Sequence, residues 1–327
     1  MDKSSDEKLI QVKDLKKYFS TKNPFGVKEK KYVKAVDGIT FHIKRGETFG
    51  LVGESGCGKS TLGRTIARLY DVTSGNIVFD GTDISLLNKK ELKPYRKRMQ
   101  VIFQDPYSAL NPYMNIAEII DEPLRIHTNL SKNERSEKIR LILDKVGMKK
   151  DDMEKFPYEF SGGQRQRIGI ARALSIEPDF ILCDEPISAL DVSIQAQVVN
   201  LLEDFREEMG LTYLFVAHDL SMVRHISNRI GVMYLGRLVE ISESNMLYKN
   251  PLHPYTKALL SAIPIPDPDK ASKIKREIMQ GDVPSPIDIP KGCRFNTRCP
   301  YVLPICREVA PHMKEIEKGH FVECHLF

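Results

Sequence analysis

An α/β fold built on a mainly parallel sheet is predicted for this chain of 327 residues, and three features predict it. Short unbroken apolar runs alternate with amphipathic helical stretches, as expected of strands covered on both faces. One such run leads directly into a glycine-rich loop and then a helix. Hydrophobic residues make up 41% of the chain and charged residues 28%, which supplies a buried core and excludes disorder.

The elements follow in order. Residues 35–43 partly alternate apolar and polar side chains and end at Lys44-Arg-Gly-Glu47, a strand and its turn. Thr48 to Val52 is a second strand. Lys59 to Tyr70 reads as a helix with Leu62, Ile66 and Leu69 on one face. Ser131 and Glu134 have capping-box spacing and open a helix to Val146, striped by Ile139, Ile142, Leu143 and Val146. Phe180 to Cys183 is a buried parallel strand, Ser193 to Met209 a helix carrying Ile194, Val198, Leu201, Leu202, Phe205 and Met209, and Leu211 to Ala217 another strand. Prolines crowd the stretch from Pro251 to Pro290, including Pro264, Pro266, Pro268, Pro284 and Pro286. Proline lacks a backbone donor, so this stretch is expected to be an extended connection. A domain boundary is expected near residue 240, with no internal repeat.

The net charge of +5 is mild, permitting an anionic partner without arguing for one. No uncharged apolar run reaches the roughly 18–20 residues of a membrane span. Met1 to Lys8 has no apolar signal region. Of the six cysteines, Cys293, Cys299, Cys306 and Cys324 cluster at the end. In a reducing compartment, clustered cysteines more often hold metal than form bridges.

Gly53-Glu54-Ser55-Gly56-Cys57-Gly58-Lys59-Ser60-Thr61 satisfies G-x-x-x-x-G-K-[ST] between a strand and a helix. The glycines let backbone N–H groups wrap a phosphate chain, and the new helix adds its positive dipole end. Lys59 is expected to reach the β- and γ-phosphates and the Ser60 hydroxyl to ligate Mg²⁺. Cys57, at a helix amino terminus, is either a low-pKa thiol or a small residue that fits the loop. The strand Phe180–Cys183 ends in Asp184-Glu185, in the position where open α/β sheets bind ligands. Asp184 is placed to hold Mg²⁺, and Glu185 to act as the general base on an attacking water. Cys183 reads as a small buried hydrophobe.

Phe160-Ser161-Gly162-Gly163-Gln164-Arg-Gln-Arg167 resembles the signature sequence of ABC-type ATPases, and the family's other motifs stand around it in order. Gln104 is similar to the Q-loop glutamine, Ser188 to Asp191 to the D-loop, and His218 to the switch histidine. The resemblance implies a P-loop cassette over residues 1–240: a RecA-like core with a parallel sheet, an antiparallel β subdomain and a helical subdomain of about residues 105–175. It implies that Ser161 and its glycines close on the γ-phosphate of ATP held by a partner cassette, that Gln104 touches Mg²⁺ and water, and that His218 positions Glu185. Tyr18 or Phe19 is expected to stack on adenine, with the Lys-rich stretch from Ser20 to Lys31 inserted behind them.

Asn250-Pro-Leu-His-Pro-Tyr-Thr-Lys-Ala-Leu259 and the terminal cysteines are similar to the carboxy-terminal extension of oligopeptide/dipeptide importer ATPases, and Gln104 to Pro112 fits that branch. The Ser20–Lys31 insertion resembles the second ATPase subunit type. This implies a peripheral protein on the cytoplasmic face of the cell membrane, bound to two integral permease subunits and a second, homologous ATPase, with an extracytoplasmic peptide-binding protein delivering cargo. Importers of nickel or other small solutes share much of the pattern. A soluble ABC ATPase acting on nucleic acid or ribosomes is the alternative class. It calls for two cassettes or a coiled-coil insertion, and neither these nor a basic aromatic patch is present, so no nucleic-acid partner is expected. The four tail thiolates suit zinc or an iron–sulfur cluster. The paired spacing of zinc ribbons is missing, and the resemblance favours 4Fe–4S. His312, His320 and His325 are substitutes in a zinc site, and unliganded thiols are the remaining alternative.

Overall fold

The computed structural model describes residues 7–21, 31–263, 279 and 281–327. Most of the stretch from Ser20 to Lys31, and Pro264, Pro266 and Pro268, lie outside the described residues. Contacts divide the chain into two compact units: residues 8–43, 47–86 and 217–327 form the first, and residues 44–46 and 87–216 belong to the second.

The first unit opens with β1 (Lys8–Ser20), β2 (Tyr32–Lys44), β3 (Thr48–Val52), helix α1 (Lys59–Ile66), β4 (Ser74–Phe79) and β5 (Thr82–Asp83). Four of these strands form a sheet in the order β2-β1-β4-β5. β1 and β4 run antiparallel with Ile10 opposite Phe79, and both side chains are fully buried. β3 is buried along its whole length, which is why it reads as an unbroken apolar run. α1 ends at Ile66, short of the expected Tyr70. Arg68 turns to a φ of 53° and buries its guanidinium, donating to the carbonyls of Ile84 (3.0 Å) and Tyr70 (3.1 Å). Those bonds outweigh another helical turn.

The second unit contains α2 (Lys93–Arg98), β6 (Met99–Ile102), α3 (Pro106–Ala109), α4 (Ile116–His127), α5 (Lys132–Lys145), α6 (Gly162–Leu174), β7 (Phe180–Asp184), α7 (Val192–Met209) and β8 (Thr212–Val216). Strands β6, β7 and β8 are parallel, with Ile181 beside Gln100 on one side and Tyr213 on the other. The expected capping box starts α5: the Ser131 hydroxyl accepts from Glu134 N–H, and the Glu134 carboxylate from Ser131 N–H. α4 is capped the same way by Asn115 and Glu118. Gly210, at φ 67°, closes α7.

The chain re-enters the first unit with α8 (Leu220–Ile226), β9 (Arg229–Tyr234), β10 (Arg237–Glu243), α9 (Ser244–Lys249), α10 (Pro254–Ser261), β11 (Met313–Glu317) and β12 (His320–Glu323). Here β3 and β9 are parallel, while β9, β10, β12 and β11 follow one another antiparallel. α10 departs from the extended connection expected of the proline-crowded stretch. Pro254 stands at its first position, where no N–H is needed, and the His253 ring caps it by accepting from Tyr255 N–H at 3.0 Å. The β11–β12 hairpin was also invisible to periodicity. Val322, Leu252 and Cys324 form a small core behind it. Among the described residues, no helix is long and apolar enough to cross a membrane.

Candidate nucleotide site

The phosphate loop lies in the first unit between β3 and α1. Gly53 and Gly58 cannot be replaced without moving the backbone. A Cβ on Gly53 would stand 2.2 Å from the Met233 carbonyl oxygen, and one on Gly58 2.1 Å from that of Ala35. Gly58, with φ 108°, occupies the cap position of α1 and has no side chain to cap the N–H groups of the first helical turn behind it. The Lys59 ammonium folds back on the loop, donating to the carbonyls of Gly53 (2.8 Å) and Glu54 (3.1 Å). Ser55 and Gly56 form the exposed crest of the loop. Cys57 is buried, and burial pushes its thiol above the usual range despite the nearby Lys59 charge. It is the small residue that fits, not an activated thiolate.

Glu54 has partners that sequence reasoning missed. Its carboxylate is gripped at both oxygens by Arg298, at 2.7 and 3.0 Å, and its N–H donates to the Tyr255 hydroxyl at 2.8 Å. Tyr255 lies in the stretch that marks the tail, but neither residue signalled its target.

The two aromatic candidates for adenine differ in freedom. The Tyr18 hydroxyl donates to Asp37, whose other oxygen accepts from Arg294. Burial opposes ionisation of Asp37, but the Tyr18 hydrogen bond and the Arg294 charge together hold its carboxyl below the usual range. Burial, with that same bond, pushes Tyr18 up to about 12. Phe19 is exposed and meets Tyr70 edge-on at 5.6 Å, with the Lys17 ammonium 4.9 Å from its ring centre. His218 is exposed between Ala217, whose N–H donates to Leu51 of β3, and Asp219, which caps α8.

The remaining motif residues lie in the second unit. Asp184 ends β7 fully buried. Glu185 follows at φ 50°, a left-handed conformation that a non-glycine residue holds at a cost. Its carboxylate accepts from the Gln104 amide at 2.7 Å, so the Q-loop glutamine and the expected base meet directly. Ser161 caps α6: its hydroxyl accepts from Gln164 N–H at 3.4 Å, and the Gln164 side chain accepts from Ser161 N–H at 3.0 Å. Gly162 is exposed, whereas a Cβ on Gly163 would stand 2.6 Å from Ile194 of α7. Asp191 is the cap residue of α7 and makes no side-chain capping bond. Cys183 is fully buried, as expected.

The tail cysteines share a neighbourhood but do not make the expected centre. Cys293 N–H donates to the Cys306 carbonyl at 2.8 Å. Burial pushes the Cys293 thiol up to about 12, with Cys306, Cys324 and Cys299 adding to the rise, and burial also raises Cys324. Among the described residues, no group of three or more His, Cys, Asp or Glu side chains is disposed to hold a metal ion. The expected 4Fe–4S cluster at Cys293, Cys299, Cys306 and Cys324, with zinc as its alternative, is therefore not supported. Nor do the histidines complete a set. His320 is buried against Glu240 at 2.7 Å, and His325 pairs with the Val309 carbonyl at 2.9 Å.

Comparison with known proteins agrees with the two motif groups. The ABC transporter family pattern matches residues 36–188, and that of the oligopeptide/dipeptide transporter C-terminal region matches residues 239–306. The oligopeptide transport ATP-binding protein AppF of Bacillus subtilis is 52% identical over 328 residues, covering 100% of both chains. OppF of the same organism is 52% identical over 320 residues, covering 97% of this chain and 96% of its own. Among solved structures, the ATP-binding cassette MJ0796, a dimer in a post-hydrolysis state with ADP and Pi, superposes with a TM-score of 0.64 at 28% identity, covering 72% of this chain and 98% of that one. With both family patterns in place and full-length relatives at this identity, the chain belongs to the ATP-binding proteins of the oligopeptide/dipeptide family of ABC transporters.

Proposed function

We propose that this chain is the ATP-hydrolysing subunit that energises import of oligopeptides or dipeptides through a membrane permease complex. The names of its relatives support the cargo class. The observation that carries the chemistry is the 2.7 Å bond from Gln104 to Glu185, in a chain that also holds a complete phosphate loop. Lys59 and the loop N–H groups, from Gly53 to Thr61, bind the phosphates. Phe19 is the better adenine platform, because Tyr18 is engaged with Asp37. The hydroxyl of Ser60, the carboxylate of Asp184 and the amide oxygen of Gln104 are hard oxygen donors that fit Mg²⁺, which supplies charge neutralisation at the phosphates. Gln104 occupies a carboxylate oxygen of Glu185. When the glutamine turns away, that oxygen can accept the proton of a water attacking the γ-phosphorus, and the bond to ADP breaks. His218, read as the switch histidine, is assigned to the γ-phosphate. Ser161, Gly162, Gly163 and Gln164 contribute to the ATP of a partner cassette, with Asp191 beside the contact.

ABC cassettes work with membrane permease subunits. We place this one on the cytoplasmic face, with a homologous ATPase as partner and a peptide-binding protein delivering cargo outside. The cassette spans residues 1–240 with its helical part at about 105–175, and the tail 241–327. The test is Glu185→Gln in the purified transporter. Hydrolysis should fall by about 10²–10⁴-fold while ATP still binds and peptide uptake into vesicles stops. Normal turnover in that variant removes Glu185 from the reaction.

A further inference from the structure

We infer that Arg298, supplied by the C-terminal tail, is a positioning residue of the phosphate loop: it fixes and neutralises Glu54, so the loop's affinity for a triphosphate depends on the tail. The inference rests on the loop being the ATP site. Three tail residues make one anchored unit. Phe295 is 1% exposed and packs between Tyr234 and Tyr255, ring centres 5.3 and 5.5 Å away. Arg294, before it, donates to the Leu235 carbonyl and to Asp37. Arg298 N–H donates to the Phe295 carbonyl at 3.0 Å, which sets the guanidinium toward the loop.

There it meets Glu54 in a two-bond fork, with side chains only 7% and 24% exposed. Glu54 is then held at every polar group: both carboxylate oxygens by Arg298, its N–H by Tyr255, and its carbonyl by Lys59. A carboxylate one residue beyond Gly53, without its guanidinium, would repel a triphosphate and compete for the Lys59 ammonium. A residue that only stapled the tail would change thermal stability and leave nucleotide affinity alone.

ATP binding to the full-length chain, titrated with ATP and Mg²⁺ in a calorimeter, separates these roles. Arg298→Gln should weaken binding by about tenfold, because it strands a partly buried carboxylate beside the phosphates. Arg298→Lys keeps the charge but loses the fork, and should fall between. The double variant Glu54→Gln/Arg298→Gln removes both charges and should recover most of the loss, binding more tightly than Arg298→Lys. Binding by Arg298→Gln within about twofold of the wild type, or a double variant as weak as Arg298→Gln, overturns the inference. If Arg298→Gln does not fold, a double variant binding no more tightly than Arg298→Lys overturns it, and tighter binding upholds it. A wild-type chain that binds no ATP refutes the nucleotide site itself.

Discussion

Acidification should loosen the first unit through one buried imidazole. His253 is 1% exposed, packs 5.6 Å from the Phe295 ring, and its Nδ1 accepts from Tyr255 N–H at the start of α10. A protonated ring would have no lone pair for that bond. Burial lowers its pKa from 6.5 to about 4, against the opposing pull of Glu240. Between those values the unfolded chain binds the proton and the folded chain does not. Stability from this group is complete above pH 6.5 and is lost as the pH falls toward 4. At pH 5 the loss amounts to about 2 kcal/mol, and its full extent is roughly 3 kcal/mol. The assay is urea unfolding at pH 7.5 and pH 5.0 for the wild type and His253→Asn. Asparagine keeps a capping acceptor and does not titrate. It loses some packing at both pH values alike, so the difference between the two proteins isolates the imidazole. Identical losses on acidification in the two would refute the reasoning.

Two further substitutions test local geometry. Gly58→Ala sets a Cβ 2.1 Å from the Ala35 carbonyl oxygen at φ 108°, and should cost about 1–3 kcal/mol or more along with ATP binding; calorimetry and a melting curve check both. Ser131→Ala removes the hydroxyl half of the capping box of α5 and should lower stability by about 1 kcal/mol in urea titration, with ATP binding unchanged.

How far the sequence reached depended on the range of the interaction. Phe180–Cys183, Leu211–Ala217 and the Ser131 cap lie within a residue or two of β7, β8 and α5, because burial on both faces and capping are written in consecutive side chains. α10 was missed because a count of prolines does not reveal that Pro254 stands where a helix tolerates it. β12 was missed because His320–Glu323 is short, and its pairing with β10 on one side and β11 on the other is what makes it a strand. The clustering of the cysteines and the family resemblance suggested a metal set, and neither fixes how the folded tail disposes the four thiols.

The phosphate loop, the signature stretch, the strand ends and the family were carried by the order of residues, since each motif places its chemistry within a few positions along one turn or strand. The folded chain alone supplied the partners. Glu54 and Arg298 stand 244 residues apart, and Gln104 and Glu185 stand 81 apart. No local period records such pairs, for it is the close packing of Phe295 among the tyrosines, and of β6 beside β7, that brings those charges and amides within bonding distance.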